Sequence, residues 1–97
     1  MAEPLQLPIE QLRFNADGLI PAIAQDWLDG AVLMVAWMNR QALELTLSTR
    51  EVHYWSRSRQ ELWHKGATSG HFQDLKGIRY DCDADVLLLT IEQRGDV

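Results

Sequence analysis

Two apolar runs of strand length limit the folds open to this sequence: AVLMVAWM at residues 31–38 and VLLLTI at residues 86–91. A short continuous apolar run that contains β-branched residues favours a buried β-strand. Asp29-Gly30 is a hairpin-turn signal, and residues 22–27 before it alternate enough to form a partner strand. The first half of the chain is therefore predicted to contain a β-hairpin.

One amphipathic helix is predicted directly after this hairpin. Asn39 is a suitable N-cap residue, and RQALELTLSTR follows it with Leu43 and Leu47 four residues apart. This spacing places the leucines on one helix face, so a helix of about three turns is expected to cover one side of a sheet.

The second half of the chain has the pattern of further strands. Residues 51–66 place aromatic and β-branched residues around a polar centre, which indicates strand, turn and strand. The glycines of GATSG indicate a loop, after which one strand is expected from about Phe72 into Cys82 and a last strand at residues 86–91. The whole pattern predicts a mainly β fold of the α+β class with one helix.

Length and composition exclude several classes of protein. The 97 residues make one small domain, residues 1–97, with no room for a second. No apolar run approaches the roughly 18 residues of a membrane span, and the N-terminal MAEPLQLPIEQL is acidic and broken by prolines, unlike a secretory signal. A single cysteine allows no intramolecular disulfide, and the net charge of -5 argues against nucleic-acid binding through excess Lys and Arg. We expect a cytoplasmic protein without a membrane or nucleic-acid partner.

Three carboxylates and a thiol lie within five consecutive residues before the last apolar run: Asp81, Cys82, Asp83 and Asp85. In an extended strand the three aspartates would share one face about 7 Å apart, and the thiol would point to the other face. Carboxylates so close repel each other unless a hard cation such as Mg²⁺ neutralises them. A solvated loop of functionless aspartates is the alternative, and the spacing alone does not decide between them.

Two other metal sites have less support in the sequence. An EF-hand calcium loop needs glycine at its sixth position, where this chain has Val86 at the start of a strand. A zinc site needs three or four protein ligands, and the chain offers Cys82 with three separated histidines, His53, His64 and His71. A cysteine-rich zinc site is therefore incomplete in one chain, and Cys82 is either a small core residue or a ligand or nucleophile.

A basic and aromatic segment, HYWSRSRQELWHKGATSGH at residues 53–71, stands in an otherwise acidic molecule. Arginine holds phosphate bidentately, hydroxyls and glycine amides add donors, and an aromatic face stacks on a base. The segment therefore predicts a phosphorylated ligand, although GATSG lacks the length and the Gly-Lys-Ser/Thr ending of a P-loop. The alternative is a solvated hairpin with its tryptophans in the core and its arginines outside.

Three segments together resemble a known family: VAWMNRQAL, EVHYWSRSRQELWHKGATSGH and DCDADVLLLTIEQ. In this order and spacing they closely resemble phosphoribosyl-AMP cyclohydrolase of histidine biosynthesis, from about residue 19 to the end of the chain. The resemblance implies a homodimer with a buckled mixed sheet or pseudobarrel. It also implies that water opens the six-membered adenine ring of phosphoribosyl-AMP, giving an aminoimidazole carboxamide intermediate, with Zn²⁺ and Mg²⁺ as cofactors.

The same resemblance implies roles for individual residues. Asp81, Asp83 and Asp85 would bind Mg²⁺, and Cys82 would give one thiolate to a catalytic Zn²⁺ assembled between subunits. Zinc lowers the pKa of bound water to roughly 7, which would supply the hydroxide that attacks the ring. His64 is the candidate for passing a proton to the departing ring nitrogen. The implied substrate contacts are Trp55, Ser56, Arg57, Ser58, Trp63, Lys65, Gly66, Ser69 and Gly70.

The sequence departs from the family in one respect. Members continue with a segment that contains two more cysteines, in a pattern like Cys-His-Thr-Gly followed by Ser-Cys, and these 97 residues contain neither. We therefore expect a domain that is incomplete at its C-terminus, with an incomplete zinc site. The alternative is a non-catalytic nucleotide-binding or dimerisation module, and a single-stranded nucleic-acid binder fits the net charge least well.

Overall fold

The computed structural model describes residues 7–95 and shows a mainly β fold with one α-helix in that range. A short 3-10 turn at Ile9–Gln11 precedes the other elements. In chain order these are β1 (Ile20–Asp26), β2 (Val32–Met38), α1 (Arg40–Thr49), β3 (His53–Ser56), β4 (Glu61–His64), β5 (Gln73–Tyr80) and β6 (Leu87–Gln93). The predicted class is confirmed, and no helix within residues 7–95 is long and apolar enough to cross a membrane.

The six strands form one curled mixed sheet in the order β4-β3-β2-β1-β6-β5. β1 pairs antiparallel with β2, which confirms the predicted hairpin around Asp29-Gly30. β1 also pairs in parallel with β6, so the first and the last strand of the described range lie side by side in the sheet. The remaining neighbours are antiparallel.

The core lies on the face of the sheet that α1 covers. Buried and partly buried side chains alternate along both central strands, because successive residues of a strand point to opposite faces. Asn39 caps α1 as predicted, since its side-chain oxygen accepts the Ala42 N–H at 2.8 Å. The fully buried apolar residues of β1, β6 and α1 are Ile20, Ala22, Ala24, Leu87, Leu89, Ile91, Ala42 and Leu43.

The opposite face of the central strands is also apolar, and we call it the outer face: Pro21, Ile23, Val35, Trp37 and Leu88. Ile23 is aligned with Val35 on β2 and with Leu88 on β6, which makes one apolar row across three strands. Val35 is 64% exposed. The other four residues are partly exposed, so the row is accessible to solvent, and an accessible apolar row is the kind of surface on which a partner can pack.

The acidic segment is a hairpin loop, so the prediction of an extended strand there is wrong. β5 ends at Tyr80 and β6 begins at Leu87, and these two residues face each other in the antiparallel ladder. The chain therefore has to reverse within residues 81–86. Ala84 takes the left-handed conformation, with φ 59°, and its N–H donates to the Asp81 carbonyl at 3.0 Å. Aspartate side chains favour such turns because they accept nearby backbone N–H groups.

Candidate functional site

The β3–β4 hairpin and the loop that follows β4 enclose an open groove of about 750 Å³, which we call the hairpin groove. Most residues that the sequence implied as substrate contacts line this groove. They are Ser56, Ser58, Trp63, Lys65, Gly66 and Ser69, and His64 lies among them. Arg59, Glu61, Leu62, Ala67 and Thr68 complete the lining.

The chemistry of the hairpin groove suits an anionic ligand with an aromatic ring. Arg59 and Lys65 supply positive charge, and the Ser56 hydroxyl accepts the Arg59 N–H at 3.3 Å. Trp63 is 39% exposed and its ring lies 5.9 Å from the Lys65 ammonium, so the indole lies at the groove rather than in the core. Cations, hydroxyls and an accessible indole are the groups that hold a phosphate and stack on a base.

Gly66 sets the shape of the loop at residues 66–70. Its φ of 97° lies in the left-handed region, and a Cβ built on it would stand 2.4 Å from the Phe72 backbone nitrogen. The Gly70 N–H donates to the Gly66 carbonyl at 2.7 Å and closes the loop. Gly70 also has a positive φ but has open space around it, and it lies beside the groove lining. Of these two glycines, Gly66 is required by close contact as well as by conformation, and Gly70 by conformation alone.

The structure places Trp55 and Arg57 in a second cavity, of about 350 Å³, which also contains Gln60. The Arg57 guanidinium lies 4.6 Å from the centroid of the Trp37 ring. Trp55 and Ser56 are successive residues of β3, so their side chains point to opposite faces of the sheet. Arg57 lies in the turn after β3, on the side of Trp55. The implied set of substrate contacts is therefore divided between two cavities.

An ion-pair network lies behind the hairpin groove. The Glu51 carboxylate contacts His64 Nε2 at 2.9 Å through one oxygen and Arg94 Nη2 at 2.5 Å through the other. Arg94 Nε contacts Asp74 Oδ2 at 2.8 Å. Hydrogen bonding from Arg94, helped by His64, lowers the pKa of Glu51, although partial burial opposes this shift. Glu51 is therefore a carboxylate at neutral pH and fixes one ring nitrogen of His64.

The His64 ring is also fixed by two aromatic neighbours. It stacks on His53, with ring centroids 4.2 Å apart and planes inclined by 10°, and it meets Phe72 at 5.3 Å. Burial lowers the pKa of His53, whose Nδ1 lies 2.8 Å from the Glu51 carbonyl oxygen. His53 is therefore a neutral imidazole at pH 7. In the His64 ring, Glu51 contacts Nε2, so Nδ1 is the nitrogen that is available to a ligand.

The sequence model of the family described as phosphoribosyl-AMP cyclohydrolase matches residues 34–97, which include the whole hairpin groove. The chain belongs to this family. The match also covers the β5–β6 loop with its three aspartates. The resemblance seen in the sequence is therefore confirmed.

Relatives of the cyclohydrolase domain are described as histidine biosynthesis bifunctional protein HisIE. The protein of Parasynechococcus marenigrum (strain WH8102) is 81% identical over 89 residues, which are 92% of this chain and 40% of that protein. The protein of Synechocystis sp. (strain ATCC 27184 / PCC 6803 / Kazusa) is 71% identical over 94% of this chain and 42% of that protein. The protein of Gloeobacter violaceus (strain ATCC 29082 / PCC 7421) is 73% identical over 91% of this chain and 40% of that protein. The chain thus spans about two fifths of the curated relatives it matches.

The metal donors expected for the cyclohydrolase family lie in the β5–β6 loop. Asp81 Oδ1 accepts the Asp85 N–H at 3.0 Å and the Val86 N–H at 3.3 Å. Burial acts to raise the pKa of Asp81, but the hydrogen bonds have the larger combined effect and lower it. The pKa of Asp85 is raised, chiefly by the side-chain contact of Asp85 with Asp81. Cys82 is exposed, so its interpretation as a core residue is wrong, and its Sγ lies 3.9 Å from Asp83.

These donors do not form a metal site within one copy of the cyclohydrolase domain. Among residues 7–95, no three His, Cys, Asp or Glu side chains are grouped to hold a metal ion. Zinc would need at least two protein ligands beside Cys82, and residues 7–95 of one copy do not bring such ligands together around it. The residues present do not fit either a complete zinc or a complete magnesium site.

Sequence reasoning missed Glu51, Asp74 and Arg94 as parts of the site. Glu51 and Arg94 are 43 residues apart, and an isolated β-bridge joins Glu51 to Asp74. No local pattern signals such contacts, because they depend on how β3 and β5 approach each other. The sequence does place opposite charges near the ends of predicted strands, but this is only a weak indication that they pair.

Proposed function

We propose that this chain is the cyclohydrolase domain of a histidine biosynthesis enzyme, which opens the six-membered adenine ring of phosphoribosyl-AMP with water. The observation that carries the proposal is the family match over residues 34–97, which includes the hairpin groove and the acidic loop. The relatives' printed names support histidine biosynthesis as the pathway.

The hairpin groove supplies groups for binding this substrate. Lys65 and Arg59 would hold the phosphate, with hydroxyls and the backbone of the residue 66–70 loop as further donors. Trp63 would stack on the base. These contacts would fix the position of the reacting ring and exclude part of the surrounding water.

His64 is the proposed proton carrier of the groove. Its Nε2 is held by the Glu51 carboxylate, which favours the tautomer with the proton on Nε2. Its Nδ1 then carries a lone pair, which would accept a proton from the ring-opening reaction and return one to the departing nitrogen.

A homodimer through the outer face is part of the proposal. An apolar row across β2, β1 and β6 supports it, because burying such a row between two copies removes apolar surface from water. Zinc and magnesium would act only in a site that residues 7–95 of one copy do not complete.

The proposal is tested with the full-length protein that contains this chain. We expect it to open phosphoribosyl-AMP in the presence of Zn²⁺ and Mg²⁺, followed by the change in ultraviolet absorbance. An absence of turnover by folded protein with both metals supplied would refute the cyclohydrolase assignment.

A second candidate function is a non-catalytic nucleotide-binding or dimerisation module. The single cysteine and the lack of a metal-binding group within residues 7–95 favour it for the 97-residue chain. Calorimetric titration with phosphoribosyl-AMP and Mg²⁺ discriminates between the two. Binding without ring opening, even with added zinc and in the full-length protein, would support the module.

Substitutions of the loop aspartates can distinguish a role in magnesium binding from a role in loop structure, because the aspartates make different contacts. We propose that the aspartates are part of a magnesium site that the full-length protein completes, so Asp83→Asn is expected to raise the Mg²⁺ concentration for half-maximal activity about tenfold or more by removing one carboxylate ligand. The same substitution is expected to leave the unfolding midpoint unchanged, because Asp83 accepts no backbone N–H within residues 7–95. Asp81→Asn is expected to change both quantities, since it also holds the loop.

Activity titrations with Mg²⁺ and urea denaturation measure the two effects, with the exposed Glu44→Gln as a control. Magnesium has no role at this loop if Asp83→Asn and Glu44→Gln give the same magnesium dependence as the unmodified protein.

A further inference from the structure

Arg94, the residue directly after β6, makes more contacts than its exposed position would suggest. Its guanidinium joins two carboxylates, at 2.5 Å to Glu51 and 2.8 Å to Asp74. The same group lies over the Phe72 ring, 4.7 Å from its centroid, and its backbone N–H donates to the Phe72 carbonyl at 2.7 Å. Arg94 therefore fixes one end of β6 to two separate parts of the chain.

Arg94 does not line the hairpin groove, but Glu51 and Phe72, which it contacts, both contact residues of the lining. Glu51 holds His64 at 2.9 Å, and His64 lies in the groove wall. Phe72 packs its backbone against Gly66, where no side chain would fit, and Gly66 begins the loop that forms another part of the wall. Replacing Arg94 would therefore loosen the groove wall at two places, through Glu51 at His64 and through Phe72 at Gly66.

We propose that Arg94 is a positioning residue for the hairpin groove, which acts through Glu51 and Phe72 to hold His64 and the residue 66–70 loop in place. The inference rests on the proposed function for its kinetic consequence. The Arg94 guanidinium separates Glu51 from Asp74, whose backbones form a β-bridge, and without it the two carboxylates would repel each other. Lysine keeps the charge but lacks the planar fork that binds two carboxylates and stacks on a ring.

The kinetic test replaces Arg94 in the full-length protein. Arg94→Met is expected to raise KM for phosphoribosyl-AMP about tenfold, because the residue 66–70 loop is displaced, and also to lower kcat about tenfold, because Glu51 no longer holds the proposed proton carrier His64 in place. Arg94→Lys is expected to recover only part of this loss. Lys76→Met is the matched control, since it removes the Lys76–Glu92 ion pair between β5 and β6, in residues that do not line the groove.

Hydrogen exchange gives a measurement that does not depend on activity. Arg94→Met is expected to speed amide exchange about tenfold in residues 64–72 and to leave β1 unchanged, whereas Lys76→Met leaves both unchanged. Uniformly faster exchange, or unchanged KM with unchanged exchange in residues 64–72, would overturn the positioning role. Absence of turnover in the unmodified protein would instead refute the proposed function, and the exchange pattern would still decide on Arg94.

Discussion

Replacing Gly66 by alanine is expected to disrupt the hairpin groove and to destabilise the domain by about 3 kcal/mol, the upper end of the range for a strained backbone position. Two effects combine at this residue. The added Cβ would stand 2.4 Å from the Phe72 nitrogen, and a φ of 97° is unfavourable for any side chain. Backbone atoms cannot move aside as a flexible side chain can, so the loop has to shift.

Gly70→Ala is the matched control, because Gly70 has a φ of 81° in the same loop but nothing within 4 Å of a built Cβ. It is expected to cost about 1 kcal/mol, from conformation alone. Urea denaturation measures the stability of both variants, and titration with phosphoribosyl-AMP measures the loss of binding, which is expected to be large for Gly66→Ala only. Equal effects of the two substitutions would show that close contact with Phe72 does not shape the groove.

Introducing a charge on the outer face is the second change with a large expected effect. Val35→Glu is expected to raise the dissociation constant of the proposed homodimer about 100-fold or more, because an apolar contact is lost and a carboxylate would be buried without a partner. The fold of one copy should tolerate the change, since Val35 is 64% exposed. Sedimentation velocity of the full-length protein over a range of concentrations measures the dissociation constant.

Gln41→Glu is the control for the added negative charge, since Gln41 is exposed on α1. It is expected to leave the dissociation constant unchanged. A dimer equally stable with Glu at position 35 would place the interface elsewhere on the molecule.

The predicted strands were located well where short-range signals dominate. Asp29-Gly30 between two apolar strands and the N-cap at Asn39 each depend on a few neighbouring residues, and both were confirmed. For residues 81–86 the sequence left an extended strand and a loop open, and the structure shows the loop. Asp81 accepts two backbone N–H groups, and these hydrogen bonds stabilise the loop. The preference of aspartate for turns was the sequence signal that favoured it.

The candidate site was predictable in its chemistry but not in its arrangement. The basic and aromatic segment does form a groove, since β3 and β4 are adjacent in sequence. Trp55 is separated from that groove by strand alternation, and Arg57 by the course of the turn after β3. Contacts such as Glu51 with Arg94 depend on the packing of distant strands, and no reasoning from local pattern reaches them.

The parallel pairing of β1 with β6 has a consequence for how the domain folds. β1 lies near the start of the chain and β6 near the end of the described range, so the centre of the sheet joins segments that are made far apart in time on the ribosome. Pairings between distant segments close large loops and slow folding. Until β6 emerges, β1 would expose a free edge and half of its apolar surface, and binding by chaperones during synthesis would be favoured in that interval.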